Sequence, residues 1–415
     1  MRSSDPLAAM TMRKMDGVWL VLILFLAWMS APAAFGQAPG YEQPPVLRAS
    51  SLLPADMLAG SSFKLKEAVQ ADGMLYSFDV WSRYGWYHPR SLDMLRIRLA
   101  EIRALDTLSA MQQDPLFLEG VGEQVSGTVG STLEAVKRPF KTIHDIPLGL
   151  AKFGSQMEAK AREASTLPDE DIRGIHEEAK RKLAVSVGVD PYTDNRPLQE
   201  ALNDVATNKN RGALATRVGT AFIPAVGPAL GAAQLNKGLQ GRLESMTSAE
   251  LQEHTRGTLA GLGVPKSQLE TFMKNPGYTP TIRAAIAEAM TRLSGVAGVQ
   301  DYIRAIQEVP APEVALFYQR RIQLAERFHL SARPLAKMAL VGPTPVFLDQ
   351  DGGMVVAVAL DHLYWNEDLA RRVGGVRQKL GKKKGDLYIT GTATETAKQQ
   401  LSDVGLTVHE KWGSD

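Results

Sequence analysis

The sequence predicts an α+β protein, with strand-rich ends and a helical middle. Three observations lead there. Asp72-Gly73 separates two β-prone runs, Phe63 to Ala71 and Met74 to Ser82, which is the pattern of a hairpin. From about residue 161 to 332, apolar residues recur at three- and four-residue steps between Gly and Pro breaks. Beyond residue 333 short strand-like runs return, interleaved with one helical pattern.

The N-terminal elements follow from local chemistry. The second hairpin arm alternates, with Met74, Tyr76, Phe78 and Val80 on one face and Leu75, Ser77, Asp79 and Trp81 on the other. A third strand is expected over Tyr84 to Tyr87, ending before His88-Pro89. Ser91 suits an N-cap, and Leu92, Leu95, Leu99, Ile102, Leu105 and Leu108 then form one apolar face of a long helix expected to pack on the sheet. Arg96, Arg98, Glu101 and Arg103 are expected on its solvated sides. Small residues at four-residue spacing follow from Gly120 to Ala135, including Gly122, Ser126 and Gly130, a ladder that permits close backbone packing.

The middle reads as an all-α region. Asp169, Glu170 and Asp171 open one helix and Lys180, Arg181 and Lys182 close it, matching the helix dipole. Asn195 caps a helix carrying Leu198, Leu202 and Val205. Val218 to Leu235 contains no charge over eighteen residues, but Pro224 and Pro228 break it, so a buried or interfacial helix pair is expected rather than a span. Thr247 and Glu250 have capping-box spacing, Thr279-Pro280 starts a helix with Ile282, Ile286, Met290 and Leu293 on one face, and a further helix over Glu313 to Phe328 places Val314, Phe317, Arg321, Leu324 and Phe328 close to one side. At the C-terminus, Thr344 to Leu348 and Met354 to Leu360 flank a Gly-rich turn, and Leu387 to Thr390, Thr394 to Val404 and Leu406 to Glu410 read as strand, helix, strand in a small βαβ-like module.

The expected domain organisation is a signal peptide over 1–36, a flexible lead-in over 37–50, a hairpin-plus-helix region over 51–160, an all-α domain over 161–332 and an α+β module over 333–415. Arg13 and Lys14, the apolar run Val18 to Trp28 and the small residues Ala31, Ala33, Ala34 and Gly36 carry the first of these. The expected address is the periplasm or envelope of a bacterium, with cleavage near Gly36 and with Met10 or Met12 as alternative starts. Loss of residues 1–36 removes Arg2, Arg13, Lys14, Asp5 and Asp16, leaving 44 basic and 43 acidic side chains, so no general attraction to nucleic acid exists. Cysteine is absent, which excludes disulfides and thiolate metal sites.

Candidate chemistry is sparse. Asp361 and His362, near Tyr364 and Trp365 at a strand end, are the candidate acid–base pair of an envelope hydrolase. Asp349 and Asp351 in Asp-Gln-Asp-Gly-Gly resemble part of a calcium loop without its closing Glu, and a hairpin turn needs the same residues. Arg371, Arg372, Arg377, Lys379, Lys382, Lys383 and Lys384 form a basic loop suited to an anionic membrane surface. No phosphate loop, serine-nucleophile motif or histidine metal pair occurs, and no cofactor is implied. The leading expectation is a non-enzymatic envelope protein that binds a partner protein or a membrane surface; the alternatives are the hydrolase and a membrane-inserting protein.

Overall fold

In the computed structural model, which describes residues 40–115, 169–208, 237–342, 344–381 and 384–413, strands and helices occupy separate stretches and separate sheets, so the fold is α+β. The expectations on residues 1–36, on the Gly120 to Ala135 ladder and on Val218 to Leu235 lie outside the described residues.

Two three-stranded antiparallel sheets build the N-terminal part. One has the order β1 (Val46–Arg48), β3 (Ala68–Asp72), β4 (Leu75–Ser77); the other has β2 (Phe63–Leu65), β5 (Val80–Ser82), β6 (Gly85–Tyr87). The hairpin is present, but Asp72 pairs with Leu75, so the two loop residues are Gly73 and Met74 rather than Asp72 and Gly73. Both have positive φ, 59° and 71°, as a type I′ turn requires. The alternation holds: Met74, Tyr76, Phe78 and Val80 are all buried, while Trp81 is exposed. Ordered backbone begins earlier than Leu52. The Glu42 N–H donates to the Trp365 carbonyl at 2.7 Å, and the Glu42 carboxylate accepts from the Trp365 N–H at 2.6 Å and the Thr394 hydroxyl at 2.7 Å.

Helix α1 (Leu92–Gln112) starts at Ser91, whose hydroxyl accepts the Met94 N–H. Its face of Leu95, Leu99, Ile102, Leu105 and Leu108 is fully buried, each side chain contributing roughly 1.5–3 kcal/mol. Ser62 and Tyr84 from the β2–β5–β6 sheet donate to Asp106, and the C-terminal half packs on α2 (Asp169–Ser186) and α3 (Arg196–Thr207). The polar side is not solvated as expected. Glu101 is 2 % exposed and Arg98 12 %, because Asp194, Thr193 and Asn195 in the loop before α3 fold over them.

Helices α4 (Lys237–Ser245), α5 (Ser248–Gly261), α6 (Lys266–Lys274), α7 (Pro280–Arg292) and α8 (Pro312–Ser331) continue the chain. The Thr247–Glu250 capping box forms with both of its hydrogen bonds. Phe272, Ile286, Met290, Tyr302, Ile303, Ile322 and Phe328 make a core that runs on into Leu335, Met338, Phe347 and Val355 of the C-terminal sheet. From Glu42 to the C-terminus the chain is one compact unit.

That sheet has the order β13 (Leu406–His409), β11 (Gly385–Ile389), β9 (Met354–Val358), β8 (Thr344–Asp349), β7 (Leu335–Val341). Strands β9, β11 and β13 are parallel, joined through α9 (Glu367–Leu380) and α10 (Glu395–Asp403), and β7, β8 and β9 form an antiparallel meander. The segment expected to be a basic loop is therefore largely helix α9. Asn366 caps it by accepting the Leu369 N–H, Glu367 and Asp368 favour its N-terminus, and Leu369, Val373 and Val376 give it a buried face, which outweighs the cost of Gly374 and Gly375.

Candidate ligand cavity

Alternation along β9 sets up the site. Val355 and Ala357 face the α8 side, in core with Phe328 and Leu324, while Val356 and Val358 turn toward α9. Between that second face and the helices lies a cavity of about 650 Å³, inside the range of roughly 300–1,000 Å³ common for small-molecule sites. Its walls are Val356, Val358 and Leu360 from β9 and its exit, Leu369, Val373 and Val376 from α9, Leu387, Leu401 and Leu406 from the strand–helix–strand unit, and Val314 and Phe317 from α8. Gly73, Met74 and Leu75, the tip of the N-terminal hairpin, complete it.

The sheet is split at this point. Strands β8 and β9 pair only at Phe347↔Val355 and Leu348↔Met354. Continued, that register would set Pro345 opposite Ala357, and no pair forms there among the described residues. Proline has no N–H to contribute. The Pro345 carbonyl instead accepts from Arg321 Nη2 at 2.8 Å. Arg321 comes from α8, is 5 % exposed, lines the cavity, and keeps a buried Nε without a hydrogen-bond partner. No carboxylate pairs with it among the described residues. Burial pushes its guanidinium below the ordinary arginine value against the opposing influence of Tyr302 and Tyr318, and the nearby Arg372 adds a smaller push in the direction of burial.

Other polar groups line the cavity: Tyr318, Tyr364, Thr344, Asn366, Glu313 and the Asp368–Arg372 ion pair, 2.7 Å long. Arg372 is also well exposed, so the basic cluster borders the cavity. Its charge is partly neutralised, since Arg371 reaches Glu367 and Asp368 at 3.5 and 3.6 Å. Lys384 is exposed; Arg377 Nη1 donates to the Gly381 carbonyl; Lys382 and Lys383, and the side chain of Lys379, lie outside what is described.

The sequence candidates for acid–base chemistry sit elsewhere. Asp361 is buried, and its Oδ2 accepts the N–H groups of Tyr76 at 2.9 Å and Leu92 at 3.0 Å, tying the hairpin and the start of α1 to the C-terminal sheet. Burial raises its pKa to about 7. His362 Nδ1 lies 3.1 Å from the Thr392 hydroxyl, its ring stacks on Tyr76, and burial lowers its pKa. No hydrogen bond joins the Asp361 carboxylate to the His362 ring, and neither residue lines the cavity; of that cluster only Tyr364 does. Asp349 accepts the N–H groups of Asp351 and Gly353 inside the β8–β9 turn and pairs with Arg333 at 2.9 Å. No group of three His, Asp or Glu side chains among the described residues is placed to hold a metal.

Sequence reasoning missed the cavity and Arg321. One signal was present: Arg321 occupies the apolar stripe of its helix, where a cation is out of place. Among the described residues no helix is long and apolar enough to cross a membrane. No protein-family model matches this chain, and neither a curated protein nor a solved structure matches it.

Proposed function

We propose that this chain is an exported, non-enzymatic binding protein of the bacterial envelope whose ligand occupies the cavity under α9. The observation that carries the reading is the cavity itself, about 650 Å³ with mainly apolar walls drawn from five separate segments of the chain. A void of that size forfeits packing that a bound apolar molecule would restore. Export rests on Arg13 and Lys14, the apolar run Val18 to Trp28 and the small residues before Gln37. Arg371, Arg372 and Lys384 offer an anionic membrane surface or an acidic partner protein a contact beside the cavity, from which a ligand is passed.

The test is Nile red, a neutral dye that brightens in apolar sites, added to protein purified from the envelope fraction of cells expressing the full chain. Brightening is expected, together with its loss when Val373→Phe and Val376→Phe fill the cavity at an unchanged melting temperature. A dye response that survives both substitutions in folded protein overturns the reading.

A further inference from the structure

We propose that the occupant of this cavity is an acyl chain ending in a carboxylate, with its anionic head held by Arg321 and its tail lying against the α9-facing side of β9. The inference rests on the cavity reading above and adds the chemical class of the ligand.

Arg321 carries the argument. An arginine on an apolar helix stripe, 5 % exposed, ordinarily meets a carboxylate, because an isolated buried charge is costly. Among the described residues its one acceptor is the neutral Pro345 carbonyl, and Nε stays unpartnered. The guanidinium offers a planar fork of donors, and a carboxylate accepts two of them side by side. The neighbouring groups agree with an anionic head. Thr344 adds a hydroxyl beside Pro345, and Tyr318 adds another one turn back on α8. Among the lining carboxylates, Asp368 is already paired with Arg372, and Glu313 lies eight residues before Arg321, about 12 Å along the helix axis.

The shape of the remaining space argues for a tail. Much of the remaining lining is apolar, with Val358, Val356, Leu387, Val373 and Val376 among it. A small free anion would satisfy the arginine and leave those walls bare. A neutral lipid would fill the walls and leave the arginine bare. Only a molecule with both parts answers both.

Displacement of Nile red from the purified full-length protein tests this with dodecanoate, dodecanol, dodecyltrimethylammonium and acetate as competitors. Dodecanoate is expected to bind at least about ten-fold more tightly than dodecanol, since a hydrogen-bonded charged pair is worth that much. Each methylene from octanoate upward is expected to add about four-fold until the cavity is full. In Arg321→Gln the preference for acid over alcohol should fall below about two-fold while dodecanol affinity is kept. Arg321→Gln removes an uncompensated buried charge, and the comparison of competitors on the unaltered protein stands without it.

Equal binding of acid and alcohol to the unaltered protein overturns the assignment of class while the cavity reading stands. An acid preference that persists in Arg321→Gln removes the role of Arg321. Acetate competing as well as dodecanoate overturns the tail. Absence of any Nile red signal to displace instead defeats the cavity reading itself.

Discussion

Asp361 and Leu92 are 269 residues apart in sequence, yet the Asp361 carboxylate accepts the Leu92 backbone N–H at 3.0 Å. The same oxygen accepts the Tyr76 N–H at 2.9 Å, so one buried side chain joins the β3–β4 hairpin, the first turn of α1 and the C-terminal sheet. The backbone repeats the link, because the N–H groups of Asp361 and His362 both donate to the Met74 carbonyl.

This arrangement makes stability depend on pH in a defined direction. Burial, helped by Asp93 and opposed by Arg96 and the two N–H donors, raises the Asp361 pKa from 3.8 to about 7. The folded chain thus keeps a proton that the unfolded chain releases. The resulting stabilisation is full below about pH 4 and is lost as the pH rises to 7, at up to about 1.4 kcal/mol per pH unit. Urea denaturation between pH 4 and 8 should show that slope in the natural protein, and Asp361→Asn should remove it. Asp190, raised by burial to about 6, adds a slope of the same sign that both proteins share. Asp361→Ala strands two N–H groups and should cost about 2–4 kcal/mol.

Glycines separate close packing from open helix. A Cβ on Gly391 would stand 1.9 Å from the Asp361 carbonyl oxygen, where the β10 (His362–Leu363) and β12 (Thr392–Ala393) pair brings two backbones together. Gly391→Ala should lower stability by about 3 kcal/mol. Gly374 and Gly375 lie inside α9 with nothing near their missing Cβ atoms. Alanine at either should raise stability by about 0.5–1 kcal/mol. Melting temperatures of the three single variants check the opposite signs.

The buried pair on α1 is a third case. Arg98 Nη1 donates to Glu101 at 2.8 Å, and Asn195 and Thr193 also donate to that carboxylate. Glu101→Ala leaves Arg98 with only Asp194 and should cost about 3–5 kcal/mol in urea denaturation. The double variant Arg98→Met with Glu101→Leu should lose less than that single one, because it leaves neither charge unpaired.

The tilt of cost between these sites mirrors how legible they were. Helix ends with local caps, at Ser91, Asn195, Thr247 and Thr279, were readable because a cap is made by residues three apart. The alternation of Met74 to Val80 was readable for the same reason of short range. The β3–β4 turn was displaced by one residue, since strand register depends on the partner, and pairing Asp72 with Leu75 forced Met74 into positive φ. Gly374 and Gly375 suggested a loop, and only the sheet beneath α9 supplies the apolar burial that makes the segment helical.

The amino-acid sequence by itself determined the α+β class, the caps and periodic faces of the helices, and the absence of disulfides, because each depends on residues a few positions apart or on composition. Tertiary structure decided what Arg321, Glu101 and Asp361 do. Each touches chain that is 24 to 285 residues away, across a sheet split, a loop or a domain-wide link. Solvation and partners of a charged side chain are set by whatever the fold brings against it, and that information is not carried in its neighbours along the chain.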